Sequence, residues 1–358
     1  MASALGPLHK PRAVLETDHY HYIAMSRDPL GGEAAGTPPF CWRILTPLLA
    51  FALTRAGLGT NAAFWIVTNA CLVGFLSCLY ALLVGRGFAP RHAVPGVVLA
   101  GLVPGAVRWY EYQYWMTDPL CLFLIAAALV LIAARRDREL LLLSLLGVAA
   151  RESYVLVFAC LLASRLRRDG IASALQATAR VALPSLALLA AIRLLVPASP
   201  GAPLLAVVGD VIGFRWRHLF DNQLYLATVG AFGVLLPMAL AFPARFVAAL
   251  RERPEDAVLL AGAYASLLVG TNTERLLAYA LPAVATVALA GLVRIEEAAR
   301  LPAGLAGGAL VLVQVVFYLL TPFHGAEGLS LYQPASWTVV GLMTGTWIAA
   351  RALARARA

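Results

Sequence analysis

The feature that most constrains this chain is a succession of apolar runs separated by short connectors rich in arginine. A helix needs about 20 apolar residues to cross the hydrocarbon core, fewer where it is tilted or shielded by protein. Such runs occupy 62–84, 94–108, 119–135, 179–196, 224–243, 256–271, 277–293, 303–321 and 335–351. Composition agrees, because 61% of the 358 residues are hydrophobic and only 13% charged. A soluble domain carries roughly 25% charged residues and needs them to stay in solution. The sequence therefore predicts an all-α fold, a polytopic transmembrane helical bundle of about nine spans.

Arginines orient the spans. The connectors 85–92, 135–139, 164–170, 244–255 and 294–300 carry most of them, as does the tail with Arg351, Arg355 and Arg357. Cytoplasmic loops concentrate such charges, so these segments read as cytoplasmic. The net charge of +9 is accounted for in this way and does not indicate nucleic acid as a partner. Two further runs, 140–150 and 153–163, are each too short to cross alone and are separated by Arg151-Glu152. The topology closes if 140–163 forms a re-entrant helical hairpin with Arg151-Glu152 at its tip. The segment 44–58, with Pro47 and Arg55, makes a poor span and reads as an interfacial helix. The resulting division is a non-cytoplasmic segment 1–61, a transmembrane domain 62–351 and a basic tail 352–358. It leaves residues 1–43 outside with no helix to carry them there, which predicts a span upstream of Met1. Five cysteines fall mostly in apolar runs without CxxC spacing, as expected of small apolar residues in lipid or helix contacts.

Ionisable groups are costly at membrane depth, and four polar constellations all fall on the expected outer face. The first is Asp18-His19-Tyr20-His21-Tyr22, followed by Pro39-Phe40-Cys41-Trp42-Arg43. The second is Trp109-Tyr110-Glu111-Tyr112-Gln113-Tyr114-Trp115, leading to Thr117-Asp118-Pro119. Arg151-Glu152 is the third, and Asn272-Thr273-Glu274-Arg275, followed by Pro282, is the fourth. Bland readings stand beside the first three: an interfacial aromatic belt, Asp118 capping a helix begun by Pro119, and Arg151-Glu152 neutralising itself. The functional reading is a rim on which aromatic faces stack against sugars and carboxylates accept from hydroxyls. Arg275 breaks the charge trend and calls for an anion, Glu274 or a phosphate, which Arg215, Arg217 and His218 could share. Carboxylates for base chemistry and arginines for phosphate are what glycosyl transfer from a lipid phosphate requires. No glycine-rich nucleotide motif is present, which disfavours a soluble nucleotide donor.

On these residues the chain resembles the GT-C superfamily of polytopic glycosyltransferases, which use polyprenyl-phosphate-linked sugars. The family's first outer loop carries an Asp, aromatics and an interfacial P–R-x-L-x-P-L-L helix. The matching residues are Asp18-His19-Tyr20-His21-Tyr22 and Pro39-Phe40-Cys41-Trp42-Arg43-Ile44-Leu45-Thr46-Pro47-Leu48-Leu49. Thr117-Asp118-Pro119, Arg151-Glu152-Ser153 and Glu274-Arg275…Pro282 match three further family motifs. The family's first span and the soluble C-terminal domain of some members have no counterpart. The chain is most similar to bacterial members that make cell-surface glycopolymers. That similarity implies the bacterial inner membrane, a periplasmic-facing site, a polyprenyl-phosphate-linked sugar donor and a glycan or lipid acceptor. It implies Asp18 as the base, Asp118 as a second acidic residue near the acceptor or a metal, and Arg275 as a contact to the donor phosphate. His19, Tyr22, Arg43, Trp109, Tyr110, Glu111, Tyr114, Arg151, Glu152 and Glu274 complete the expected substrate site. A divalent metal is left open, with Asp18, His21 or Asp118 as its available ligands. A flippase for a lipid-linked glycan would show related halves and midplane polar residues, neither of which is visible. A non-catalytic subunit of glycopolymer assembly would have no need of the full carboxylate and arginine set.

Overall fold

A computed structural model describes residues 18–28, 39–196, 204–219, 223, 226–270, 272–320, 341, 345 and 352. Among the described residues every regular element is helical and no strand occurs. In chain order the first helices are α1 (Asp18–Arg27), α2 (Leu45–Arg55), α3 (Thr60–Gly85) and α4 (Pro90–Gly101). They are followed by α5 (Trp109–Tyr112), α6 (Asp118–Ala134), α7 (Asp137–Ala150), α8 (Leu156–Asp169) and α9 (Ile171–Leu195). Next come α10 (Leu204–Arg217), α11 (Leu235–Leu240), α12 (Pro243–Glu252) and α13 (Pro254–Ser266). The last are α14 (Thr273–Leu277), α15 (Leu281–Ala299) and α16 (Leu305–Leu320).

Three stretches, Thr60–Gly85, Ile171–Leu195 and Thr273–Ala299, are long and apolar enough to cross a membrane. The other expected spans are represented by shorter helices, such as α6 with 17 residues and α16 with 16. Segment 224–243, expected as one span, holds a π-turn at Leu226–Gly230 and the six-residue α11. Gly233 takes a left-handed φ of 54° between them, which ends any continuous helix. The expected span 335–351 lies outside the described residues except at 341 and 345.

The chain divides into two compact units. Unit 1 holds Met1–Cys78 and Trp109–Pro203; unit 2 holds Leu79–Arg108 and Leu204–Ala358.

In unit 1, α7 and α8 both pack along α9, and α6 packs on α7. Helix α6 starts with Asp118-Pro119 and ends at Arg135, which adopts a left-handed φ of 58°. Arg165 of α8 binds Asp137 at the start of α7 (2.5 Å) and Asp169 (3.1 Å). Arg135 binds Asp169 as well (3.0 Å). These pairs draw the start of α7 to the end of α8. At the opposite end the chain breaks at Arg151, which is extended (φ −167°, ψ 144°), and takes a 3-10 turn over Glu152–Val155. Tyr154 folds back on α7, where its hydroxyl meets Ser144 Oγ at 3.2 Å. The glycine at 147 permits this, because a β-carbon there would overlap the Tyr154 ring. Helix α2 buries Thr46, Pro47 and Ala50 while Leu48 and Leu49 stay exposed, and it packs on α1 and α7.

In unit 2, α15 packs against α11 and α4, and α16 against α4. Arg86 joins Asp256 at 2.7 Å and also donates to the Thr286 hydroxyl. Glu296 accepts from the amides of Gly304 (2.9 Å), Ala306 (3.0 Å) and Gly307 (3.4 Å), and pairs with His92 at 2.9 Å. A carboxylate from α15 thus satisfies the amides that open α16, donors with no partner within their own helix. The Gln314 side chain accepts from Val234 N (2.8 Å) and donates to Leu102 O (3.1 Å). Helix α12 is bounded by two bends of matching geometry, Phe242 at φ −125°, ψ 78° and Arg253 at φ −127°, ψ 78°. Each bend is followed by a proline at the first helical position, which cannot continue a preceding helix.

Candidate functional site

The break between α7 and α8 carries the polar centre of unit 1. Because Arg151 is extended and Glu152 opens a 3-10 turn, the two adjacent side chains do not form a pair with each other. Each reaches a partner far away in sequence. Arg43, at the end of a 3-10 turn over Phe40–Trp42, grips Glu152 with two donors. Its Nε lies 3.0 Å from Oε2, and its Nη2 meets Oε1. Its Nη1 donates to the Tyr22 hydroxyl at 3.1 Å, which fastens α1 to the same point. Arg151 Nη1 pairs with Asp118 Oδ1 at 2.6 Å. Asp118 is fully buried, and Arg43 and Arg151 are 4% and 5% exposed.

Charge balance is what permits this depth. Two guanidiniums and two carboxylates sum to zero, whereas a lone buried ion costs several kcal/mol. Burial alone would push the Glu152 carboxyl up, but the Arg43 charge and hydrogen bonds, with Arg151 beside them, hold it at about 2. A forked guanidinium on a carboxylate also fixes orientation, which a point charge such as lysine does not.

Aromatic contacts brace the first loop. His21 stacks on Phe40 at 5.2 Å and 9°, Tyr22 meets Phe40 edge-on at 6.2 Å, and the Arg43 guanidinium lies 5.4 Å from the Phe40 centroid. His21, expected as an available metal ligand, is thus engaged in a ring contact. The side chains of Asp18 and His19 lie outside the described residues, although α1 begins at Asp18. Among the described residues no group of three or more His, Cys, Asp or Glu side chains could hold a metal ion.

The second loop is pinned to α3. Thr68 Oγ donates to Tyr114 O at 2.7 Å, and Trp115 Nε1 donates to Asn61 Oδ1 at 3.3 Å. Glu111 accepts from the side chains of Trp65 and Asn69, and burial nevertheless pushes its carboxyl up. Tyr110 and Tyr114 are buried, and the Tyr114 ring lies 4.0 Å from Trp115. The Trp109 side chain lies outside the described residues. Asp118 is the first residue of α6 rather than its cap. The cap position belongs to Thr117, whose side chain makes no capping bond.

Glu274 and Arg275 belong to unit 2. Both are buried, at 6% and 8% exposure, on the five-residue α14. The Asn272 side chain accepts from Arg275 N at 3.4 Å. A β-carbon at Gly105 would stand 2.8 Å from that of Glu274, so glycine is needed there. Arg215, expected to share an anion with Arg275, is instead engaged by the protein. It donates to Leu267 O (2.7 Å), Gln223 Oε1 (2.7 Å), Thr273 Oγ1 (2.6 Å) and Gly270 O. Arg217 is exposed, and His218 lies 4.8 Å from the Phe214 ring.

Three of the four sequence constellations therefore meet in unit 1, through Tyr22, Arg43, Asp118, Arg151 and Glu152. Sequence reasoning missed the α3 residues that pin the second loop. Asn61, Trp65, Thr68 and Asn69 fall at i, i+4, i+7 and i+8, a polar stripe on an apolar helix that could have been read. Comparison with protein-family models, with curated proteins and with solved structures returns no match.

Proposed function

We propose that the chain is a membrane glycosyltransferase of the GT-C kind, moving a sugar from a polyprenyl-phosphate donor to a cell-envelope glycan or glycolipid. The observation that carries this is the meeting of Arg43, Asp118, Arg151 and Glu152, from three segments distant in sequence, in one buried and charge-balanced network. In such an enzyme catalysis is positioning plus charge stabilisation: a carboxylate orients and deprotonates the acceptor hydroxyl, and cations stabilise the departing phosphate. Asp118, locked to Arg151 at 2.6 Å, serves here as a support that fixes the break between α7 and α8. The base role then falls to Asp18, at the start of α1. Arg275 is the candidate contact to the donor phosphate. The proposal includes about nine spans with 140–163 re-entrant, and a site on the non-cytoplasmic face of a bacterial inner membrane.

The test is transfer by the purified chain in nanodiscs from a polyprenyl-phosphate sugar to a lipid-extract acceptor. Asp18→Asn is expected to abolish product while the protein stays folded and inserted. Full product from Asp18→Asn combined with Asp118→Asn would sink the enzyme. Movement of a lipid-linked glycan between leaflets without bond cleavage would replace it with a flippase.

A further inference from the structure

Several buried or part-buried hydroxyls elsewhere among the described residues find partners. Thr54 donates to Phe51 O at 2.7 Å, Ser185 to Val181 O at 2.9 Å and Thr286 to Pro282 O at 2.8 Å, while Thr68 reaches Tyr114 O. Two short segments of unit 1 depart from this. Trp42 Nε1, Thr46 Oγ1, Tyr114 OH and Thr117 Oγ1 are all buried and make no hydrogen bond. Thr46, Tyr114 and Thr117 are 1%, 2% and 0% exposed. Each unpaired buried group of this kind costs about 1–3 kcal/mol. Away from these segments in unit 1, Arg165 Nε and Thr178 Oγ1 are also buried without a hydrogen bond, although Arg165 is paired through its other two nitrogens.

The location of the four atoms is informative. Trp42 and Thr46 flank Arg43, and Tyr114 and Thr117 lie four residues and one residue before Asp118. Arg43 is bonded to Glu152 and Asp118 to Arg151, and Glu152 and Arg151 are neighbours in the chain. The two segments therefore converge on the same break between α7 and α8. Neither threonine is satisfied within its own helix. Thr117 occupies a cap position, but its backbone is already helical (φ −85°, ψ −11°), so the usual capping bond is not made. Thr46 is the second residue of α2, where no preceding helical turn offers its hydroxyl a carbonyl, and the hydroxyl stays buried without a partner.

We infer that Trp42, Thr46, Tyr114 and Thr117 form a subsite for an uncharged, hydroxyl-rich ligand, a sugar ring, beside the Arg43–Glu152 and Arg151–Asp118 pairs. Three hydroxyls and an indole N–H give a donor-and-acceptor set without charge, which suits hydroxyl groups. Arg43 and Arg151 are balanced by their carboxylates, and the further guanidinium nearby, Arg193, lies 4.9 Å from the Trp42 ring centroid, so the two charge pairs themselves leave no net charge for a phosphate. This deepens the transferase proposal and rests on it for the identity of the sugar as a substrate. It divides the labour, giving the sugar to unit 1 and leaving the phosphate to other residues.

The test uses the full chain in nanodiscs with methyl glycosides of common envelope sugars and inorganic phosphate as probes. Binding is read by saturation-transfer NMR and stability by thermal unfolding. Valine has nearly the shape of threonine without the hydroxyl, so Thr46→Val and Thr117→Val should each raise Tm by about 2 °C, because an unpaired group is removed. Each should also weaken binding of the responding glycoside by about fivefold or more, while phosphate fails to displace it. A fall in Tm for both variants would make the hydroxyls structural and overturn the subsite. So would undiminished glycoside binding in the variants, or no binding of any glycoside by the unaltered chain. The two proposals fail separately. Glycoside binding that the variants lose, without any transfer, keeps the subsite and removes the enzyme. Transfer at full rate in both variants does the reverse.

Discussion

The polar interiors of the two units differ in which buried groups are left without a partner. In unit 2, Glu296 and Arg215 are fully engaged, although Asp256, paired with Arg86, keeps one buried oxygen without a hydrogen bond. Glu296 has three backbone amides and a histidine, and Arg215 has two carbonyls, an amide oxygen and a hydroxyl. In unit 1 the charges are paired, but the hydroxyls and the indole beside them are not. A saturated network holds helices in place and has nothing left to offer a ligand. An incompletely satisfied one carries a standing penalty that a ligand can relieve. The contrast assigns scaffolding to the first kind of interior and recognition to the second.

The strongest way to break that contrast lies in unit 2. Glu296→Leu should lower stability by about 3–5 kcal/mol, since it strands the amides opening α16 and the His92 ring. Chemical unfolding of the purified chain in detergent measures this, and a loss below about 1 kcal/mol would deny unit 2 its scaffolding role. Next comes Gly147→Ala in unit 1, where the added methyl meets the Tyr154 ring. A loss of about 2 kcal/mol is expected. Tyr154→Leu in the same background should recover part of it, which ties the effect to that contact.

A pH titration sharpens the comparison further. The Glu152 carboxyl is held at about 2 in the folded chain, against an ordinary value of 4.5. Its depression contributes stability that is fully present above 4.5 and is lost as pH falls from there through 2, because the unfolded chain binds the proton first. Tm followed over that window should decline, and Glu152→Gln should flatten the decline while lowering Tm at neutral pH. The smallest effect is expected of Arg294→Ala. It breaks a pair with Glu297 whose side chains are 53% and 61% exposed, and such pairs often contribute nothing measurable. A clear change in Tm there would show that surface charge carries more of this fold than the buried networks do.

The helical class and several helix boundaries were legible in the sequence because apolar runs and proline positions act locally. Asp118-Pro119 does open α6, and Arg151-Glu152 does separate two short helices. Partner choice was not legible. Arg151 and Glu152 look self-neutralising as neighbours, and only the extended backbone at Arg151 sends their side chains apart to Asp118 and Arg43. Arg215 looked available to an anion because a count of charges does not register the backbone carbonyls that occupy it. Segment 224–243 looked like a single span because hydropathy averages over Gly233 and its left-handed backbone. Segment 244–255 looked like a plain connector, although the helix inside it was marked by prolines at 243 and 254.

The paired bends that enclose α12 bear on which length changes unit 2 can accept. Ten residues between two fixed corners act as a crankshaft, offsetting α13 from α11 by about 15 Å at 1.5 Å per residue. One inserted or deleted residue in this crank would swing α13 by about 100° about the α12 axis, and Asp256 would move away from Arg86. Natural variation in length should therefore be excluded from Pro243–Glu252, even though this helix buries none of its own side chains. For this helix the number of residues matters more than which residues they are.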